Sequence, residues 1–254
     1  MKNYIVLFLL LVSVNINAQN YFKGLSMEED KEIAQRVLSL MGDDLYLSAI
    51  DILEPMLLKK QLGHIGYFLL MNCYHKTGDD LKLTSSFKKW ESQMSNDEIN
   101  SEDSSYVKSI YSMYAFALYN LKEYRESNLA FEKSIGMDKE DNINAAMCYR
   151  HISTNYEKLE LYPQAENYID KSIKTFLALL HLDIDDIVKR DDLYDDNIFN
   201  NMLLSIVQKA LLLIGKESYT DGFYYLALAA SCGEETALYY FNKLDLDYHK
   251  YLKK

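Results

Sequence analysis

Proline is nearly missing from this chain: Pro55 and Pro163 are its two copies, and glycine stands at 9. β-Rich folds turn often, and turns draw on both residue types. Their scarcity favours long helices with short connections. Cysteine is sparse as well. Cys73, Cys148 and Cys232 are far apart and odd in number, with no CxxC or Cys/His ligand spacing. That argues against a disulfide framework or a zinc site. Each lies in an apolar helical context and reads as a small core residue. Positive charge is short too: the net charge is −11. Nucleic acids and anionic membrane surfaces attract a positive field, so neither is an expected partner.

Catalytic signatures are also lacking. There is no GxSxG elbow, no HExxH, no phosphate-cradling glycine loop and no Rossmann fingerprint. His64, His75, His151, His181 and His249 have no partner at ligand spacing. The expectation is a protein that is not an enzyme and carries no cofactor and no metal.

What is present is enough to build a core. Over 254 residues, 49% are apolar and 26% charged, a composition that folds. Residues 1–18 read as a secretory signal. Lys2 gives the positive start, Tyr4 to Val14 an apolar stretch too short to span a bilayer comfortably, and Asn15 to Ala18 a polar end closing on a small residue. No cysteine follows for a lipid anchor, and no later apolar run approaches twenty uncharged residues. The expected location is the periplasm or the extracellular space. With its "NAQ" end in a Tyr-, Asn- and Lys-rich chain, the signal resembles those of exported Bacteroidetes proteins. Residues 19–29 are expected to form a linker.

The chain then repeats itself. In "YSMYAFALYNLKEYRESNLAFEKSI", Tyr111, Ala115 and Leu118 share one helical face. A turn around 121–123 follows, then Tyr124, Ser127, Phe131 and Ser134 on a second helix. The same offsets give Tyr149, Ser153, Tyr156, then Tyr162, Ala165, Ile169, Ser172. Earlier they give Tyr67, Met71, Tyr74, then Asp80, Leu83, Phe87, Trp90; and first of all Ile33, Val37, Leu40, then Tyr46, Ala49, Leu53, Met56. From Ile33 to Tyr67, Tyr111 and Tyr149 the steps are 34, 44 and 38 residues. The polar stretch 95–105 accounts for the longest step and is expected as a loop, with Asp103 or Ser104 capping the next helix. Pro163 suits the start of a helix, whereas Pro55 should kink or shorten its own.

These units resemble the tetratricopeptide repeat family, in which each 34-residue unit is a helix, a turn and a helix. The resemblance covers about residues 30–180 in four repeats, near 30–63, 64–97, 108–141 and 146–179. It implies an all-α fold: an α-solenoid, a right-handed superhelix of stacked antiparallel helix pairs. Residues 181–197 read as an acidic, solvated connector. A strong helix follows, with Ile198, Met202, Ile206, Ala210 and Leu213 in phase and Gly215 as its expected C-cap. The stretch "YTDGFYYLALAASCGEETALYYFNKL" is similar to the Sel1-like variant of the superfamily. It places Ala229, Ala230 and Gly233 at a helix end, and Glu234, Glu235 and Ala237 at the next start. Residues 198–254 thus form C-terminal helices with a Sel1-like repeat.

The resemblance implies binding of a protein or peptide partner on a concave groove lined by first helices. Groove positions are then Asn72, His75 and Lys76; Ser112, Phe116 and Tyr119; and Arg150, Thr154 and Lys158. Arg150 and Lys76 could hold a carboxylate, and Asn72 and Thr154 a peptide backbone. The full basic-and-asparagine set of the family's carboxylate-clamp members is absent. The expected function is an exported scaffold for protein–protein or peptide binding in the cell envelope. The alternative is a glycan- or small-ligand-binding envelope protein using its 22 tyrosines.

Overall fold

The structure, a computed structural model, describes residues 21–93, 104–137, 142–189 and 196–252. The signal segment expected at 1–18 and Asp103, one of the two caps expected for the following helix, lie outside the described residues. Among the described residues there are no strands, and Phe22 and Leu62 form a lone antiparallel bridge. The fold is all-α and solenoid-like, its helices packed consecutively in pairs.

The helices are α1 (Met27–Gly42), α2 (Tyr46–Leu58), α3 (His64–Thr77), α4 (Asp80–Gln93), α5 (Ser104–Asn120), α6 (Tyr124–Gly136), α7 (Ile143–Lys158), α8 (Tyr162–Leu180), α9 (Asp196–Gly215), α10 (Tyr219–Ser231) and α11 (Glu235–Lys243). Short 3₁₀ helices span Ile184–Lys189 and Tyr248–Tyr251. The chain divides into two compact units at Glu123/Tyr124, inside the turn that joins α5 to α6.

One turn recurs throughout. A left-handed residue sits two places before each second helix: Asp44 before Tyr46, Gly78 before Asp80, Lys122 before Tyr124, Glu160 before Tyr162 and Glu217 before Tyr219. The following amide donates back into the helix just ended: Leu45 to the Leu40 carbonyl (2.8 Å), Glu123 to Leu118 (2.9 Å), Leu161 to Tyr156 (2.8 Å) and Ser218 to Leu213 (2.9 Å). These are Schellman closures, which satisfy otherwise orphaned carbonyls and reverse the chain. Gly215 was expected as the cap of α9. It is instead the last helical residue, and Glu217 takes the left-handed place.

The repeat offsets coincide with burial. Val37, Ala49 and Leu53 are buried in the first pair; Tyr67, Met71, Leu83, Phe87 and Trp90 in the second; Ala115, Ser127 and Phe131 at the third set; Ser153, Ala165, Ile169 and Ser172 in the fourth. Counting from Tyr219 finds the same register once more. Ile206, Ala210 and Leu213 on α9 and Gly222, Leu226 and Ala229 on α10 are all buried. The α9–α10 pair is therefore a further copy of the pattern, one the sequence reading missed. A Cβ on Gly222 would stand 2.6 Å from Ile214 Cγ1 and 3.1 Å from the Ala210 carbonyl oxygen. Glycine thus lets these two helices approach more closely than alanine or serine would.

Two local expectations change. Residues 19–29 are not simply a linker, because Tyr21 and Phe22 are buried. Gly63 N–H donates to the Tyr21 carbonyl at 2.9 Å, and Gly66 leaves room for that carbonyl, which a Cβ would meet at 2.6 Å. Ser26 and Glu29 then close a capping box on α1. Within the acidic stretch, residues 181–189 are not simply solvated either. Ile187 is fully buried, and Asp185 accepts a hydrogen bond from Tyr224 at 2.8 Å. As for the prolines, α2 contains Pro55 and ends three residues later at Leu58, whereas Pro163 sits in the first turn of α8.

Candidate binding faces

In the first unit, α3 and α5 pack together. They bring His75 beside Phe116, with ring centroids 6.0 Å apart at 42°. Burial, aided by Lys76 and opposed by Asp80, lowers the pKa of His75. Asn72, Ser112 and Tyr119 are half-buried and Lys76 is exposed. Beside this face, Asn120 donates to Asp80 at 3.3 Å.

The second helices of the same unit, with Tyr74 of α3, form another feature. Tyr74 donates to Glu54 Oε1 at 2.9 Å, and Lys82 Nζ donates to the same oxygen at 2.8 Å. Asp79 lies 3.7 Å from Lys82, whose ammonium also stands 5.7 Å from the centre of the Tyr74 ring. The hydrogen bond from Lys82 holds the Glu54 carboxyl below the usual range. Next to this cluster a cleft of about 190 Å³ is lined by Glu54, Leu57, Leu58, Lys82, Ser85 and Lys89, among others.

In the second unit, α7 packs on α8 and α9. Arg150 Nη2 donates to Asn201 Oδ1 at 3.3 Å, and Gln208 Nε2 donates to Thr154 Oγ1 at 2.9 Å. Arg150 and Thr154 are half-buried, and Lys158 is exposed at the end of α7. Burial pushes the Arg150 pKa down. No carboxylate lies against this guanidinium among the described residues. Its neighbour His151 stacks on Phe131 at 5.6 Å; burial, then the Arg150 charge, pushes its pKa down to about 4.

Other polar groups in this unit staple helices together. Lys209 bonds Asp170 at 2.6 Å and Tyr225 at 3.0 Å. Burial opposes its charge, but these two partners outweigh burial and raise its pKa. Lys216 pairs with Glu166. The repeat-position serines donate across the pairs: Ser153 to the Ala165 carbonyl at 2.7 Å, Ser172 to that of Ala146 at 2.8 Å. Asn155 donates to Ser127 and Asn128 at 2.9 and 2.7 Å. Cys73 and Cys148 are buried and Cys232 half-buried; no disulfide joins them, and burial raises Cys73 to about 12. No group of three or more His, Cys, Asp or Glu side chains at metal-holding distance occurs among the described residues.

The structure thus brings together His75 with Phe116 in one unit, and Arg150 with Thr154 in the other. Asn201, Gln208 and the Glu54–Tyr74–Lys82 cluster were not read from the sequence. Their signal was the helical phase of polar residues on α9 and on the second helices, which only a contact across helices makes meaningful.

No family model matches this chain, and no curated protein matches it. Among solved structures, the crystal structure of BtubC (BKLC) from P. vanneervenii is similar at 13% identity and a TM-score of 0.42, covering 85% of this chain and 90% of that one.

Proposed function

We propose that this chain is an exported helical-repeat scaffold of the tetratricopeptide type, with a Sel1-like end, and that it binds a protein partner on the exposed faces of its first helices. Arg150 carries the reading. A guanidinium offers five N–H donors and keeps its charge at any physiological pH. Burying such a charge is costly unless it is paired. Here one neutral oxygen, on Asn201, answers it. A carboxylate from a partner is the natural complement, made bidentate by the planar fork. Asn201, Thr154 and Gln208 surround it with amide and hydroxyl groups suited to a peptide backbone.

The glycan alternative is weaker because many rings are spent on one another. Tyr156 stacks on Tyr168 at 5.5 Å, and Phe87 stacks on Tyr114 at 3.7 Å. Sugar stacking needs an open ring face.

The test is crosslinking in intact cells followed by purification of the chain. A reproducible protein partner, reduced by Arg150→Ala in a chain that still folds, is the expected result. Recovery of no protein, or equal recovery with Arg150→Ala, would reject the role given to this face.

A further inference from the structure

The chain is acidic overall, yet one region reverses the sign. Lys59 and Lys60 follow directly on Leu57 and Leu58 at the end of α2. Lys82, Lys88 and Lys89 lie on α4. Leu57, Leu58, Lys82 and Lys89 line one cleft, together with Ser85 and Ser86. Glu54 and Asp79 engage Lys82. Lys59, Lys60, Lys88 and Lys89 are exposed and have no acidic partner among the described residues. Leu58, in the lining of the cleft with Lys89, is 79% exposed.

We propose that the α2–α4 cleft is a second docking surface, which takes an acidic segment of a partner protein with one apolar side chain seated against Leu57 and Leu58. Volume and charge select this occupant. At about 190 Å³ the cleft is smaller than a typical cofactor or metabolite pocket but large enough for one leucine-sized group. Lys89 lines the cleft, and Lys59, Lys60 and Lys88 belong to the same two helices and their ends; together they add positive charge to a chain whose net charge is −11, which suits a negative partner and steers its approach. The surface lies on second helices, so it is independent of the Arg150 face and does not stand or fall with it.

The test is fluorescence anisotropy of the purified chain with a labelled peptide of acidic residues around a single leucine. Two control peptides replace the acids by their amides or the leucine by serine. The acidic peptide should bind, and Lys59→Glu or Lys89→Glu should weaken it about tenfold. Leu58→Ser should weaken it as well. Lys174→Glu, on the other unit, should leave binding unchanged. Circular dichroism checks that each surface variant is folded. Three results would overturn the proposal. One is equal binding of the amide peptide. Another is equal weakening by Lys174→Glu, which would mean non-specific attraction. The third is capture of the chain through these lysines by vesicles of equal parts phosphatidylcholine and phosphatidylglycerol, which would make a lipid surface the occupant.

Discussion

Arg150 on α7 reaches across to Asn201 on α9 at 3.3 Å, a contact between residues 51 apart in sequence. A half-buried cation held by a neutral amide is kept at some expense to the fold. Arg150→Met should therefore raise the free energy of unfolding by about 1 kcal/mol while lowering partner capture. Urea titration reads the first effect. A clear loss of stability would assign the guanidinium a structural role instead.

His151 predicts an acid sensitivity. Its folded pKa is about 4, against about 6.5 in an unfolded chain. Between these values the unfolded chain holds more protons, so stability falls as pH drops through that window, by about 3 kcal/mol at most from this group. Urea midpoints at the two ends of the window should differ less in His151→Phe than in the parent. Identical acid losses would contradict the assignment. Arg150→Met should also raise the His151 pKa, an effect readable by NMR titration, because it removes a neighbouring positive charge.

The further repeat can be tested at Gly222. Gly222→Ala puts a methyl 2.6 Å from Ile214 Cγ1 and should cost about 1–3 kcal/mol. At Gly136 nothing lies within 4 Å of the added carbon, and Gly136→Ala should be neutral or slightly stabilising. Thermal melts of the two variants should separate clearly; equal melting temperatures would mean that α9 and α10 are not in close contact there.

The recurring turn makes a prediction of opposite sign. Glu160 is left-handed at φ 59°, whereas the equivalent place before α4 is held by Gly78 at φ 74°. A side chain in that region costs about 1 kcal/mol. Glu160→Gly should recover part of it, seen as a higher denaturation midpoint. A lower midpoint would show that the Glu160 side chain makes compensating contacts.

Much of the fold was legible because core positions and turns share one period. Tyr67, Met71, Leu83 and Phe87 announce a pair of helices by spacing alone. The α9–α10 copy was hidden because Gly222 and Leu226 stand where the clearest unit has Ser127 and Phe131, and apolar phase without those landmarks reads as a generic helix. The burial of Tyr21 and Phe22 gave no periodic signal, since it rests on backbone pairing with a turn about forty residues away. The candidate faces were harder still. Arg150 was named from its helix alone, but its isolation from any carboxylate depends on which residue of α9 faces it.

Connection lengths have a further consequence. Among the described residues, two or three residues join the helices within a pair, whereas five, 59–63, separate α2 from α3. Among the described residues the bends within pairs are therefore short and uniform in length, and they leave no slack between the two helices they join. For protein engineering, that marks the two- and three-residue bends as places to leave untouched.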